Sequence, residues 1–297
     1  MHEEPIARNG ARHRSGVAAL VLSVIAACGA DLPASPDASW QLTWSDEFDA
    51  ADGSAPAAAR WVYDTGGGGW GNNELQTYTD RRDNSVIRGG TLVITALKEP
   101  FTGADGITRD YTSARLKTSG TFAQTYGRFE SRMKLPRGQG LWPAFWMLGD
   151  NVASAGWPTC GEIDIMENIG REPNTVHGTF HGPGYSGAGG IGAAFQSADG
   201  KPFADGYHLY AVEWDPAEIR WYVDDHLYET RKPSDLPGST RWVFDHDFFL
   251  LLNVAVGGSW PGNPDATTTF GALNAFDVLS INHPFPCLRT ARTFSPK

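Results

Sequence analysis

Residues 127–135 read GRFESRMKL, and their apolar positions alternate. Phe129, Met133 and Leu135 point one way while Arg128, Glu130, Arg132 and Lys134 point the other, the two-residue period of a strand with one wet face. Similar short runs recur at 41–48, 174–181, 207–214, 219–223 and 248–256. Residues 86–96 read as a hairpin turning through Gly89 and Gly90. Turn chemistry such as Asp215-Pro216 and Asp224-Asp225 separates other runs. No long amphipathic helix pattern intervenes, so the expected fold class is all-β, a sandwich of antiparallel sheets. Nothing within residues 40–282 resembles a linker, and one domain is expected there.

The stretch GEIDIMENIG (161–170) places Glu162, Asp164 and Glu167 within six residues of otherwise mostly apolar sequence. On a helix, ~100° per residue would send Glu162 and Asp164 to nearly opposite sides. On a strand they share a face, and Ile163 and Ile165 turn into a core. Glu167 is then one residue out of phase, which a one-residue bulge near Met166 would correct. An edge strand with acids facing water would sit in polar, charge-mixed sequence. Here LWPAFWML (141–148) precedes the acids, and His177 and His181 follow at strand spacing, which favours a catalytic cleft. On a regular strand Trp142, Ala144 and Trp146 share a face, leaving the two tryptophans either in the core or in the cleft. His177 and His181 share a face with Thr179, and no third ligand accompanies them as a metal pair.

Composition narrows the ligand. Eleven Trp exceed what a core needs, and their flat faces can stack on sugars or bases. A formal net charge of −10 repels nucleic-acid phosphates, so a neutral polymer suits the chain better. Beyond the N-terminal region no segment is long and apolar enough to span a bilayer. Arg8, Arg12, His13 and Arg14 precede an apolar run over 17–28, the layout of a signal peptide. The run ends VIAACG, similar to a bacterial lipobox in which Cys28 becomes the lipidated first residue, with cleavage as an ordinary signal peptide the alternative. Residues 29–39 then read as a flexible tether. The expected location is therefore outside the cytoplasm, either membrane-anchored or secreted. Cys160 and Cys287 either pair in that oxidising compartment or remain free thiols.

Six blocks together carry a family resemblance: WGNNELQTYTD (70–80), YTSARLKT (111–118), YGRFESRMKLPRGQGLWPAFWMLG (126–149), GEIDIMENIG, HGTFHGPGYSG (177–187) and LNVAVGGSWPGNPDATT (252–268). In this order they resemble glycoside hydrolase family 16, within it the bacterial laminarinase-like endo-1,3-β-glucanases. The resemblance implies a β-jelly roll of two antiparallel sheets with a substrate cleft on the concave face. It implies retaining, endo-acting hydrolysis of β-1,3 or mixed β-1,3/1,4 glucan, with Glu162 as nucleophile, Glu167 as acid/base and Asp164 between them. Trp142, Trp146, His181, His177, Asn72, Arg115 and Trp260 match its substrate-binding positions. No cofactor is implied for the chemistry, but a structural Ca2+ is, at Glu47, Gly90 and Asp277. The expected partner is β-glucan, and a monomer is expected. Relatives acting on agar, carrageenan or xyloglucan, and a glucan-binding protein without catalysis, are the other readings. After Thr269 the chain departs from the family pattern: residues 277–281 can form a strand, while 283–297, with three prolines, are expected to be a poorly ordered tail.

Overall fold

The computed structural model describes residues 39–287. The expected signal peptide, Cys28 and tether lie outside the described residues, as do residues 288–297 and the side chain of Cys287, and with it any pairing to Cys160. In chain order the strands are β1 (Ser39–Asp46), β2 (Val62–Asp64), β3 (Thr77–Tyr78), β4 (Ser85–Ile87), β5 (Leu92–Ile94), β6 (Leu97–Thr102), β7 (Thr108–Ser113), β8 (Arg115–Lys117) and β9 (Gly127–Lys134). They continue with β10 (Leu141–Gly149), β11 (Glu162–Glu167), β12 (Thr175–His181), β13 (Ile191–Gln196), β14 (His208–Trp214), β15 (Ile219–Val223), β16 (His226–Arg231), β17 (Phe248–Val256) and β18 (Phe276–Cys287). One short helix, α1 (Val152–Ala155), precedes β11.

Two sheets stack. One runs β16-β15-β14-β9-β18-β5-β4, with β1 also paired to β18, and the other runs β13-β12-β11-β10-β17-β8-β2. Between them lie Phe145, Met147, Ile163, Ile165, Phe180, Leu250 and Leu252 from one sheet and Phe129, Tyr210, Val212, Trp214, Trp221 and Val278 from the other. The alternation predicted at 127–135 holds, with Phe129 and Met133 fully buried. β17 lies between β10 and β8, with Leu250, Leu252 and Val254 in the inter-sheet core and Phe249 and Leu251 in a second apolar cluster with Leu148 and Cys160, hence its run FFLLLNVAV without alternation.

The structure departs from the sequence reading in two places. A third small sheet, β3-β7-β6, was not anticipated, because LKEPFT and TRDYTS carry too little apolar periodicity to stand out. The last strand runs to Cys287, so residues 283–287 belong to β18 rather than to a loose tail. His283 explains the extension. Its ring is buried 4.2 Å from Phe129, and its Nδ1 lies 2.6 Å from Thr43 Oγ1 on β1. Burial lowers its pKa to about 4, so it packs as a neutral side chain.

The bulge expected near Met166 is present. Phe145 pairs with Met166 but Trp146 with Asp164, so Ile165 is the extra residue, and the same irregularity separates Asp164↔Thr179 from Glu167↔His177. Where the ladder is interrupted, Trp221 of the opposite sheet donates its indole N–H to the Asp164 carbonyl at 2.8 Å. Just before β11, Gly161 has φ +74°, and a Cβ there would lie 2.8 Å from Phe248. Gly161→Ala is therefore expected to cost roughly 2–4 kcal/mol, from left-handed backbone strain plus overpacking. Urea denaturation would read this as a lowered midpoint, and an unchanged midpoint would refute the packing argument.

Candidate active site

The exposed face of the β11-containing sheet forms an open cleft of about 780 Å³. Alternation on β10 turns Trp142, Ala144 and Trp146 into it together, while Phe145 and Met147 go to the core. β11 contributes Glu162, Asp164 and, through the bulge, Glu167. His181, Asn72, Arg115 and Trp260 also line the cleft. His177 does not. It lies opposite Glu167 on the same strand face, but Trp260 packs edge-to-face against it at 5.0 Å and Glu172 lies 3.5 Å from its Nε2, so it supports Trp260.

The two glutamates each accept an indole N–H, while Asp164 faces His181. Trp157 donates its indole N–H to Glu162 Oε2 at 2.9 Å, and Trp142 donates to Glu167 Oε1 at 3.0 Å. His181 Nε2 lies 3.0 Å from Asp164 Oδ2 and 3.7 Å from Glu162 Oε1. Burial dominates the electrostatics of all three acids. It pushes Glu162 up to about 8, with the Asp164 charge adding to the rise and His181 and the Trp157 bond opposing it. Burial also pushes Asp164 up to about 8. Burial, and then the charges of Asp164 and Glu162, also raise Glu167 well above the usual carboxylate range, against the opposing pull of His181 and Trp142. Three acids this close cannot all ionise together.

At one end of the cleft Arg115 lies 4.9 Å over the Trp70 ring and 4.8 Å over the Trp146 ring. It is ion-paired to Asp64 at 3.2 Å, so it is both a salt-bridge partner and a cleft residue. Trp146 in turn donates to Asn253 Oδ1 at 2.8 Å. Glu74 accepts bonds from Asn72, Gln76 and Tyr78, and burial raises its pKa.

Sequence reasoning did not single out Trp157, Glu74 or Asn253. Asn253 had a signal, as the one polar residue of an otherwise apolar strand. Glu74 lay inside a block quoted for its family resemblance, beside Asn72. Trp157 had none, because it stands in an irregular segment where no periodicity assigns a face.

Of the residues expected to hold calcium, Glu47 follows β1 and Asp277 lies on β18. Glu47 borders a small cavity with Asp46, Phe48 and Asp49, and its Oε1 lies 3.0 Å from the Asn282 side-chain amide. Asp277 is on β18, opposite Val93 and Lys134. Burial raises its pKa while Lys134 and Arg88 pull it down. No calcium is assigned to Glu47, Gly90 and Asp277.

A carboxyl group whose pKa is raised on folding keeps its proton in the native state and loses it in the unfolded chain. Stability is then fully present below the unfolded pKa and falls as pH rises towards the folded pKa, here between about 4.5 and about 8 for Glu162. Glu167→Gln replaces a buried carboxyl, which folding holds protonated against rising pH, with a neutral amide, and is expected to raise Tm at pH 8 more than at pH 5. Each 1 kcal/mol so relieved is worth ~2–4 °C. Calorimetry at both pH values checks it, and an equal or reversed effect would contradict the charge argument.

Comparison with known proteins agrees with this geometry. The family model "Glycosyl hydrolases family 16" matches residues 72–275. The chain is 48% identical over 231 residues to a β-glucanase of Rhodothermus marinus, covering 75% of this chain and 78% of that one. It is 38% identical over 253 residues to a glucan endo-1,3-β-glucosidase of Cryptopygus antarcticus, covering 80% and 90% respectively. Among solved structures, the catalytic domain of an endo-1,3-β-glucanase (laminarinase) from Thermotoga petrophila RKU-1 superposes with a TM-score of 0.79 at 47% identity, covering 84% of this chain and 99% of that domain. With the matched region reaching from the Asn72 loop through the acids of β11 to the start of β18, the chain belongs to glycosyl hydrolase family 16.

Proposed function

We propose that this glycoside hydrolase cuts internal β-1,3 bonds of a neutral β-glucan, and also mixed β-1,3/1,4 glucan, with retention of anomeric configuration. The observation that carries the reading is the bulge at Ile165, which brings Glu162 and Glu167 to one face of a tryptophan-lined cleft. A retaining glycosidase needs two carboxyl groups ~5–5.5 Å apart flanking the scissile bond. Glu162, at the position of the family's nucleophile, attacks the anomeric carbon while Glu167 gives its proton to the leaving oxygen. In the second step Glu167 takes a proton from water, and that water displaces the sugar from Glu162. Asp164 and His181 adjust where the protons reside. Trp142, Trp146 and Trp260 offer faces for sugar rings, and Arg115 and Asn72 offer donors to hydroxyls.

A sulphated substrate fits less well, since Arg115 is already ion-paired to Asp64 and the cleft carries four carboxylates, Glu74 included. A binding-only protein would have no use for both glutamates. The test is incubation with laminarin, lichenan, agarose and xyloglucan, with product anomers followed by NMR. Early β-anomer from laminarin is expected, and immediate α-anomer would overturn retention. Glu162→Gln should lower turnover by more than ~10³-fold while the fold and glucan binding persist. Substantial hydrolysis by that variant would refute its role as nucleophile.

We also propose that the enzyme is exported as a monomer and tethered through a lipidated Cys28, supported by the basic and apolar pattern before it. Labelled palmitate should enter the wild-type chain and not Cys28→Ala, and equal labelling of both would exclude the anchor.

A further inference from the structure

Glu162, Asp164 and His181 have, besides their place in the cleft, the makeup of a metal-ligand set. Each offers one ligand atom, and these atoms lie within 4.8 Å of one another, the only such group of three or more His, Cys, Asp or Glu among the described residues. His181 Nε2 is 3.0 Å from Asp164 Oδ2 and 3.7 Å from Glu162 Oε1. A tetrahedral ion with bonds of ~2.0–2.1 Å keeps its ligand atoms ~3.3–3.4 Å apart, so these two spacings need shifts of only a few tenths of an ångström. The third, between Glu162 and Asp164, lies within 4.8 Å and closes by up to ~1.4 Å through rotation of the longer Glu162 side chain.

A second observation points to a cation independently of the clustering. The Asp164 side chain is 4% exposed, and its Oδ2 has no hydrogen-bond donor. The approach of His181 at 3.0 Å is not aligned as a hydrogen bond. A buried carboxylate oxygen without a donor is costly, and a cation would satisfy it. Glu162 is disposed to help. Trp157 occupies its Oε2, while Oε1 is the oxygen nearest His181. The open side of the cleft leaves the fourth position of a tetrahedral ion to water.

We propose that the cleft binds one divalent transition-metal ion of the zinc class through Glu162, Asp164 and His181, and that the ion reversibly switches hydrolysis off. The inhibitory part rests on the proposed function, because the ion would occupy the nucleophile; the binding part does not. One imidazole with two carboxylates suits Zn2+ or Co2+, whereas Ca2+ and Mg2+ prefer larger all-oxygen shells. His181 Nδ1 has no partner, and the lack of such support typically weakens a site by ~10–100-fold. The ion is therefore a reversible inhibitor and not a resident cofactor.

Equilibrium titration with Co2+ alone reads binding without activity, through the visible absorption of a tetrahedral ion. One Co2+ per chain is expected, displaced by Zn2+ and by laminarin oligosaccharides but not by Mg2+. His181→Ala should lose the spectrum, and Asp164→Asn, which keeps the side-chain shape, should weaken binding at least ~10-fold. Zn2+ should inhibit laminarin hydrolysis competitively, and a chelator should restore it. Absence of the tetrahedral spectrum, or its survival in both folded variants, would overturn the site. A normal spectrum with no glucan hydrolysis under any condition would uphold the site and refute only the proposed function.

Discussion

One extra residue in one strand governs the site. With strict alternation, Glu162 and Asp164 would face the cleft and Glu167 the core, where an ionisable side chain would meet Phe180 and Trp221. Inserting Ile165 between two ladder pairs returns Glu167 to the cleft face and leaves Ile163, Ile165 and Met166 all buried. The cost is an interrupted ladder in the middle of a sheet. It is offset from the other layer, where the buried Trp221 indole reaches the Asp164 carbonyl. The functional face of one sheet is thus braced by a core residue of the other, which couples packing to catalytic geometry more directly than shared burial would.

The same arrangement concentrates charge. Three carboxyl groups and one imidazole lie within a few ångströms at the floor of a tryptophan-lined cleft, and burial is the first cause of the rise in each acid. A cluster at ordinary carboxylate pKa values would be fully ionised and could not protonate a leaving group at neutral pH. Desolvation prevents this. The N–H groups of Trp157 and Trp142 hold Glu162 and Glu167 respectively and oppose part of the rise that burial causes. A single donor at the edge of a buried carboxyl orients it without cancelling the effect of burial.

How much of this was legible in the chain follows from where periodicity operates. The two-residue period placed Phe129 and Met133 in the core, Trp142 and Trp146 on one face, and Glu162 with Asp164, because each lies on a regular strand. Even the bulge could be inferred, since Glu167 had no other way to join its partners. Periodicity is silent for loops, so Trp157, which touches the nucleophile candidate, went unnoticed. It also misjudged His177, which shares the strand face of His181 as expected but is packed under Trp260, a residue from a distant loop. The extent of β18 was hidden for a related reason: what holds His283 in place is Thr43 and Phe129, both remote in sequence. Local pattern predicts which way a side chain points, not what later segments lay over it.

The electrostatic frame also bears on why Asp164 is an aspartate. A glutamate there would extend one methylene further towards the bond between Glu162 and Glu167, where substrate must pass. An asparagine would donate to one glutamate and lose the negative charge that helps hold Glu167 protonated. A short carboxylate, recessed and 4% exposed, raises its neighbours without obstructing them. The side effect is an oxygen with no donor, facing a histidine that does not align with it. Proton tuning for catalysis and a weakness for transition metals would then share one origin, a buried carboxylate kept deliberately short of hydrogen bonds.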